Sequence, residues 1–165
     1  MKILILALVL LVAAVSVFAQ NSVEGQTQFN AGLGFSNWGI PIYAGLDFGA
    51  GRDVTIGGEV SYNSYRENYQ DNNYNHSIFG IGGNVNYHFN YILNIPSDWD
   101  LYAGLNLGYY IWESPNDYPG DHNSGIGLGA QVGARYYFTQ SAGFNLELGG
   151  SSAFSGGKFG ISIKL

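Results

Sequence analysis

Apolar and polar residues alternate along most of the chain from residue 27 onward. The alternation has a period of two, continues over segments of about ten residues, and is interrupted by turn-forming residues. A period of two is that of a β-strand with two different faces. The pattern predicts eight strands, at residues 27–36, 40–50, 54–66, 76–89, 99–112, 124–138, 142–151 and 157–165.

The predicted links between strands fall into two sets that alternate along the chain. The first set consists of tight turns at 51–53 and 139–141 and a longer link at 90–98. Because the strand number is even, both termini lie on the side of this set. The second set, on the opposite side, consists of 37–39, 67–75, 113–123 and 153–155.

The two faces of the predicted strands differ in their chemistry. One face is free of charge and includes Leu105, Leu128 and Phe159. The other face carries Gly, Asn, Gln and Tyr. It also carries the charges assigned to strand interiors, which are Asp47, Glu59, Arg135, Glu147, Lys158 and Lys164.

Two architectures can use such strands, and they differ in which face is inside. A soluble lipocalin-like barrel would turn the apolar face inward and leave glycine, asparagine and tyrosine facing water. Only 11% of the residues are charged, whereas a soluble protein has about a quarter, so that surface would be poorly suited to water. A membrane barrel turns the apolar face to lipid and the polar face to the lumen. The composition therefore favours the membrane barrel.

The N-terminal residues 1–19 have the features of a secretory signal peptide, and residues 20–165 form the predicted barrel. Lys2 precedes an apolar core, and the segment ends in the small-x-small site Val17-Phe18-Ala19. Cleavage would leave 5 basic residues against 12 acidic ones, a net charge of −7. Nucleic acid is therefore not an expected partner. With 0 cysteines, the chain has neither disulfides nor thiolate metal sites.

The signal peptide, the eight alternating segments and the amphipathic last strand resemble the small bacterial outer-membrane β-barrels of the OmpA/OmpX type. The resemblance implies an all-β, eight-stranded, antiparallel up-and-down transmembrane barrel, monomeric and surrounded by lipid and lipopolysaccharide. It also implies export through the periplasm to the outer membrane, where the barrel-assembly machinery recognises the C-terminal strand. Members of that family usually end in an aromatic residue, whereas this chain ends in Leu165.

The predicted lumen combines charges with small residues. The three acidic and three basic inward residues are expected to neutralise each other as buried pairs, with Arg135, Glu147 and Lys158 as the central cluster. Tyr43, Tyr102, Tyr110 and Tyr137 are expected to lie across the gaps left by inward glycines, so that side chains fill the lumen. These glycines are Gly32, Gly34, Gly45, Gly57, Gly80, Gly82, Gly104, Gly108, Gly127, Gly129 and Gly133.

The longer links on the side opposite the termini are the candidates for contacts at the cell surface. Links 67–75 and 113–123 combine tyrosine and tryptophan with asparagine, aspartate and serine, a composition suited to adaptable recognition. Their acidic residues outnumber Arg66, which indicates either a solvated acidic rim or a place for divalent cations. The candidate contact residues are Tyr69, Tyr74, Trp112, Asp117, Tyr118 and Asp121.

Motifs for catalysis or cofactor binding are weak. Gly125, Gly127 and Gly129 lie within a strand, whereas a dinucleotide fingerprint requires a strand, a turn and a helix. The histidines lack the spacing of a metal site. His122 and Ser124 resemble the His-x-Ser of outer-membrane lipid A deacylases, but Gly125 replaces an asparagine of that family and no downstream glutamate shares their face.

The function expected from the sequence is a structural or surface-interaction role, adhesion-like, without catalysis, metal or cofactor. The alternative is a narrow porin-like channel in which the inward glycines leave a path for small solutes. A lipid A deacylase is a remote third interpretation.

Overall fold

A computed structural model of the chain describes residues 22–36, 39–69, 72–115, 119–120, 123–151 and 155–165. The predicted signal peptide lies outside these residues. No helix in the described ranges is long and apolar enough to cross a membrane. The strands are β1 (Thr27–Ser36), β2 (Ile42–Gly51), β3 (Val54–Tyr69), β4 (Asn72–His88), β5 (Trp99–Glu113), β6 (Gly125–Tyr137), β7 (Ala142–Ser151) and β8 (Ser155–Lys164).

The eight strands form one closed antiparallel barrel in which each strand pairs with its neighbours in sequence. The barrel is closed by β1 and β8, whose register runs from Gln28↔Lys164 to Ser36↔Gly156. The amphipathic last strand therefore has a hydrogen-bonded partner on each side, and no sheet edge is left open to lipid. The predicted all-β, eight-stranded up-and-down fold is confirmed.

The apolar face of the strands points outward, as predicted. Leu105, Leu128 and Phe159 are 64%, 63% and 50% exposed, which places them on the outer wall. Aromatic residues gather on this wall at the tight-turn end, where Trp99 packs on Tyr136 with ring centroids 4.9 Å apart. Such a girdle marks the boundary between the hydrocarbon layer and the headgroups.

The link predicted at 67–75 is wrong, because β3 and β4 extend through most of it. Their register continues from Tyr62↔Phe79 outward to Tyr69↔Asn72. The asparagine-rich sequence indicates a loop when taken alone. In the barrel, cross-strand hydrogen bonds hold it as strand: Arg66 Nε donates to Asn75 Oδ1 at 3.0 Å, and Asn68 Nδ2 donates to Asn73 Oδ1 at 3.3 Å.

The outer part of this hairpin stands beyond the rest of the sheet. β2 pairs with β3 only as far as Ile42↔Tyr62, and β4 pairs with β5 only as far as Ser77↔Glu113. From Asn63 to Tyr69, therefore, β3 pairs with β4 alone among the described strands. Ser77 and Ile78 of β4 still pair with β5, so the part with only two strands comprises residues 65–69 and 72–76. Five residues at about 3.3 Å each give a projection of roughly 17 Å, which is called the outer hairpin below.

Candidate functional site in the lumen

The innermost charged group of the lumen is centred on Arg135. Its Nη2 donates to Asp47 Oδ2 at 2.6 Å and its Nη1 donates to Asp100 Oδ2 at 3.0 Å. Asp100 Oδ1 lies 2.7 Å from His88 Nδ1. Arg135 is only 3% exposed, so these are charge-assisted hydrogen bonds in a buried site. These four residues are called the inner ion group.

Tyrosine rings enclose the inner ion group. The Arg135 guanidinium lies over the Tyr102 ring, with Cζ 4.3 Å from the centroid. The Lys164 ammonium lies 3.7 Å from the centroid of the Tyr137 ring, and the Tyr137 hydroxyl donates to Gln28 Oε1 at 2.8 Å. Each ring thus combines a polar contact with the filling of space across the barrel axis.

Amide and hydroxyl groups connect the inner ion group to the facing wall. Asn30 Nδ2 donates to Asp47 Oδ2 at 2.9 Å, and Ser162 Oγ donates to Asn30 Oδ1 at 2.6 Å. Asn145 Nδ2 donates to Ser162 Oγ at 2.9 Å, and the Tyr43 hydroxyl donates to Asn145 Oδ1 at 2.7 Å. A chain of satisfied polar groups of this kind rigidifies a core.

A second charged group lies nearer the outer end of the barrel, which is the end that carries the outer hairpin. Lys158 Nζ lies 2.8 Å from Glu59 Oε2 and 2.7 Å from Glu147 Oε1. The Tyr102 hydroxyl donates to Glu147 Oε2 at 2.9 Å and so links the two groups. Lys158, Glu59 and Glu147 are called the outer ion group. They retain partial exposure, with 22% for the Lys158 side chain.

The structure divides the charges differently from the sequence-based prediction, which placed Arg135, Glu147 and Lys158 in one cluster. The register explains the difference: Glu147 pairs with Lys158 on β8, but its partner on β6 is Gly133. Arg135 lies opposite Asn145 and, on its other side, opposite Asp100. Arg135 therefore belongs to the inner ion group, and Lys164 joins neither group.

Sequence reasoning missed Asp100 and His88 as members of the lumen network. Asp100 lies at the beginning of β5, where it was not counted as a strand-interior charge. Alternation could have revealed it, because Asp100 lies two residues from the inward Tyr102 and both are buried. His88 ends β4 in the same way and pairs across the strands with Tyr102.

The inward tyrosines cover glycines, as predicted. A Cβ added to Gly133 would meet the ring of Tyr102, and one added to Gly80 would meet the ring of Tyr110. Comparable contacts join Tyr137 to Gly143 and the Tyr43 hydroxyl to Gly160. The tyrosine side chains occupy the space that a Cβ would need at these positions. Glycine, which has no side chain, is therefore required there.

The outer half of the lumen is less filled. A cavity of about 70 Å³ is lined by the outer ion group and by wall glycines that include Gly82 and Gly149. A smaller cavity of about 20 Å³ lies between the two ion groups. Neither lining includes Tyr137 or His88. Both cavities therefore end before they reach these two residues, which lie nearest the tight-turn end of the lumen. The larger one has room for a few water molecules.

Thr55, His88 and Asp100 have the connectivity of a nucleophile, a base and an orienting acid. Thr55 Oγ1 lies 3.0 Å from His88 Nε2, and His88 Nδ1 lies 2.7 Å from Asp100 Oδ1. However, Thr55 is 5% exposed and His88 2%, so a substrate could not reach the hydroxyl. The arrangement satisfies buried polar groups and leaves Asp100 as a ligand of Arg135.

The candidate contact residues at the outer end are separated by the structure. Trp112 lies in β5, where its ring is 6.1 Å from that of Tyr65 and 6.1 Å from that of His76. Tyr69 and Tyr74 belong to the outer hairpin, not to a loop. Asp117, Tyr118 and Asp121 lie outside the described residues.

The residues considered for catalysis and metal binding occupy unrelated places. Ser124 Oγ accepts a hydrogen bond from the Trp112 backbone N–H at 3.1 Å, which extends the β5–β6 ladder. His122 lies outside the described residues. Among the residues that the structure describes, no cluster of His, Cys, Asp and Glu could hold a metal ion.

Comparison with known proteins supports this architecture. The profile of the family "Outer membrane protein beta-barrel domain" matches residues 5–162. No curated protein sequence matches the chain. The fold is similar to OprG from Pseudomonas aeruginosa, with a TM-score of 0.67 and 10% identity over 87% of this chain and 97% of that chain.

Two further solved structures share the fold. The N-terminal barrel of Pseudomonas aeruginosa OprF gives a TM-score of 0.54 with 14% identity over 86% of this chain and 98% of that chain. Yersinia pestis Ail, solved with the heparin analogue sucrose octasulfate, gives 0.54 with 11% identity over 86% and 99%. With the closed barrel, the outward apolar wall and the family match, the chain belongs to the outer membrane protein beta-barrel domain family and is a protein of the bacterial outer membrane.

Proposed function

We propose that the protein is a non-conducting barrel that serves the cell surface through contacts of its outer hairpin. The observation that carries the proposal is the contrast between a lumen crossed by two ion groups and a hairpin that stands beyond the sheet. If the lumen is closed, the outer end of the barrel is the part that can contact a partner.

The closed lumen supports a role other than transport. The inner ion group, its tyrosines and the amide chain from Asn30 to Tyr43 span the barrel from wall to wall. A solute or ion would have to separate Arg135 from both of its carboxylates, and a buried pair that loses a partner is strongly destabilised. The lumen therefore acts as a structural plug.

The two faces of the outer hairpin suit polar recognition. Arg66, Asn68, Asn73 and Asn75 lie exposed on one face. The side-chain amides provide both donors and acceptors. The opposite face includes Tyr74, whose ring can pack on an apolar or sugar surface. The Tyr65 ring on the same face packs with the Trp112 ring. Such a combination fits a neutral, hydroxyl-rich ligand such as carbohydrate better than a strongly charged one.

The charge of the outer end argues against a polyanionic ligand such as sucrose octasulfate, the heparin analogue with which Ail was solved. The sequence at this end contains Glu67, Asp71, Glu113, Asp117 and Asp121 against Arg66. An acidic rim repels sulfated ligands at distances within the Debye length. The ligand proposed for this chain is therefore uncharged, and a heparin analogue should not bind.

Two measurements on the full-length mature protein test the proposal. Planar-bilayer recordings of the refolded barrel should show no reproducible single-channel steps. A glycan array probed with the protein in nanodiscs should give signals that fall in a variant carrying R66A, N68A, N73A and N75A together. Regular conductance steps, or glycan signals that this variant leaves unchanged, would contradict the proposal.

The control is a double variant at the opposite end of the barrel. Thr139 and Gln140 lie in the exposed β6–β7 turn, and changing both to alanine should alter neither measurement. A loss of binding in this control would indicate a general effect on the embedded protein.

A further inference from the structure

The turn between β4 and β5 differs from the other turns at the same end of the barrel. The β2–β3 turn contains Arg52 and Asp53, and the β6–β7 turn contains Thr139, Gln140 and Ser141. The β4–β5 turn instead presents a continuous apolar stretch of three residues. Tyr91, Ile92 and Leu93 are 60%, 62% and 60% exposed.

This turn is held in a fixed shape by hydrogen bonds. The Leu93 N–H donates to the Phe89 carbonyl at 2.9 Å, which closes one helical turn. Asn94 adopts a φ of 49°, a left-handed conformation that asparagine tolerates. Asn90 Nδ2 donates to the Trp99 carbonyl at 2.6 Å, and Asn90 Oδ1 accepts from the Leu101 N–H at 3.1 Å. The apolar side chains are therefore presented by a braced element.

The helical spacing divides the turn into two faces. Phe89, Ile92 and Leu93 occupy positions i, i+3 and i+4, which lie on the same face. Tyr91 points elsewhere, because the Arg52 guanidinium lies 3.8 Å from the centroid of its ring. Tyr91 thus connects the β4–β5 turn to the β2–β3 turn. Ile92 and Leu93 lie on the other face of the turn, together with Phe89.

Arg52 is itself fixed in place. Its Nε and Nη2 both lie 2.9 Å from Asp53 Oδ2. An arginine guanidinium is protonated throughout the physiological range, and the hydrogen bond to the Asp53 carboxylate raises its pKa further. The contact between the two turns does not depend on pH in the physiological range.

The face of Phe89 is continuous with the lipid-facing wall. Phe89 packs against Tyr87 with ring centroids 5.3 Å apart, and Tyr87 belongs to the outward row of β4 that includes Val85 and Ile81. Trp99 and Tyr136 continue the same wall on the other side of the turn. The apolar face of the β4–β5 turn extends the lipid-facing wall and is therefore suited to contact with lipid as well.

We propose that Ile92 and Leu93 insert into the periplasmic leaflet of the outer membrane, so that the β4–β5 turn is a phospholipid anchor. The turn lies in the interface as a short amphipathic element, with its aliphatic side chains at the boundary between headgroups and acyl chains. Its role is to fix the depth and tilt of the barrel at its inner end.

The absence of native cysteine allows a direct test on the full-length mature barrel. Ile92→Cys and Leu93→Cys are labelled, each alone, with an environment-sensitive NBD dye after refolding into phosphatidylethanolamine–phosphatidylglycerol vesicles. Emission at both positions should shift to shorter wavelength. Quenching by doxyl-labelled phospholipid should be several-fold stronger than quenching by aqueous iodide.

Ser141→Cys and Ser97→Cys are the matched controls. Both side chains are exposed at the same end of the barrel, and Ser97 belongs to the same turn, so the dye itself is held constant. Labels at these sites should emit as in water and be quenched mainly by iodide. Labels at 92 and 93 that are quenched mainly by iodide, as at 141, would overturn the proposal, and so would labels quenched by neither agent, which would mean that a second copy covers the turn. Because Ile92 and Leu93 are exposed, folding of the labelled variants, checked by their heat-modifiable gel mobility, should be retained.

Discussion

The inner and outer halves of the lumen are built from the same alternating strands but are filled differently. In the inner half, Arg135, Asp47 and Asp100 form direct ion pairs under tyrosine rings. In the outer half, Lys158 and its two carboxylates form the floor of a cavity of about 70 Å³ with glycine in its walls. Among the described residues, the barrel is thus filled at its inner end and holds a cavity toward its outer end.

The difference follows from the size of the inward side chains on each strand. β6 carries Tyr137 and Arg135 toward the inner end and only Gly129, Gly127 and Gly125 toward the outer end. β5 has no compensating inward charge in its outer half, where the Tyr110 ring covers Gly108 and, together with the Ser61 hydroxyl, Gly80. Closure of the barrel is therefore a property of its inner half, and changes there should have the larger effects.

The largest effect is expected from Arg135→Met. The change leaves Asp47 and Asp100 buried without a cation, and breaking a buried pair on one side costs about 3–5 kcal/mol. The free energy of unfolding should fall by that amount, measured by urea titration of the barrel in vesicles. Arg66→Met, an exposed arginine in the outer hairpin, should cost less than about 0.5 kcal/mol.

The same experiment can separate the charge from the packing of Arg135. In the triple variant Asp47→Asn/Arg135→Met/Asp100→Asn, no buried charge is left unpaired, and much of the lost stability should return. If the triple variant is as unstable as Arg135→Met alone, then the packing of the guanidinium on Tyr102 matters more than its charge.

Lys158→Met is expected to have a smaller effect. The change removes the partner of Glu59 and Glu147, but these groups retain some exposure and can recruit water from the cavity. A loss of about 1–3 kcal/mol is expected, since solvent screens partly exposed charges. The same urea titration measures it, and a loss equal to that of Arg135→Met would contradict the distinction between the two halves.

Glycines of β6 provide a comparison within one strand. Gly133→Ala would force the Tyr102 ring away from the wall and weaken its hydrogen bond to Glu147, at a cost of about 1–3 kcal/mol for overpacking. Gly125→Ala meets nothing within 4 Å and should leave the unfolding midpoint unchanged. Equal midpoints for the two variants would show that the inner half can repack freely.

The sequence was sufficient to predict the barrel because the signal comes from chemistry repeated on every strand. Leu105 and Phe159 belong to a charge-free face, and Arg135 and Glu147 belong to the opposite face. The charge-free face is therefore stable against lipid, and the charged face is stable in the lumen. The tyrosines that cover glycines were predictable for the same reason, since a narrow lumen forces large and small inward residues to alternate.

The grouping of charges was not predictable, because it depends on register. A shift of two residues along β7 decides whether Arg135 faces Glu147 or Asn145, and alternation gives a face but not a partner. The outer hairpin was missed for a related reason. Its asparagines favour turns when considered individually. They lie in strands because Asn68 bonds to Asn73, and Arg66 to Asn75, across the hairpin.

The smallest effect on stability is expected in the outer hairpin. Asn73→Ala removes the acceptor of a 3.3 Å hydrogen bond from Asn68 in an exposed position, where water replaces the lost partner. The loss in the free energy of unfolding should be below about 0.5 kcal/mol. Hydrogen exchange of the amides at 66–69 and 72–75 should nevertheless accelerate, because this segment opens without the barrel. A stability loss comparable to that of Gly133→Ala would mean that the hairpin is part of the cooperative unit, and its separation from the closed inner half would then be wrong.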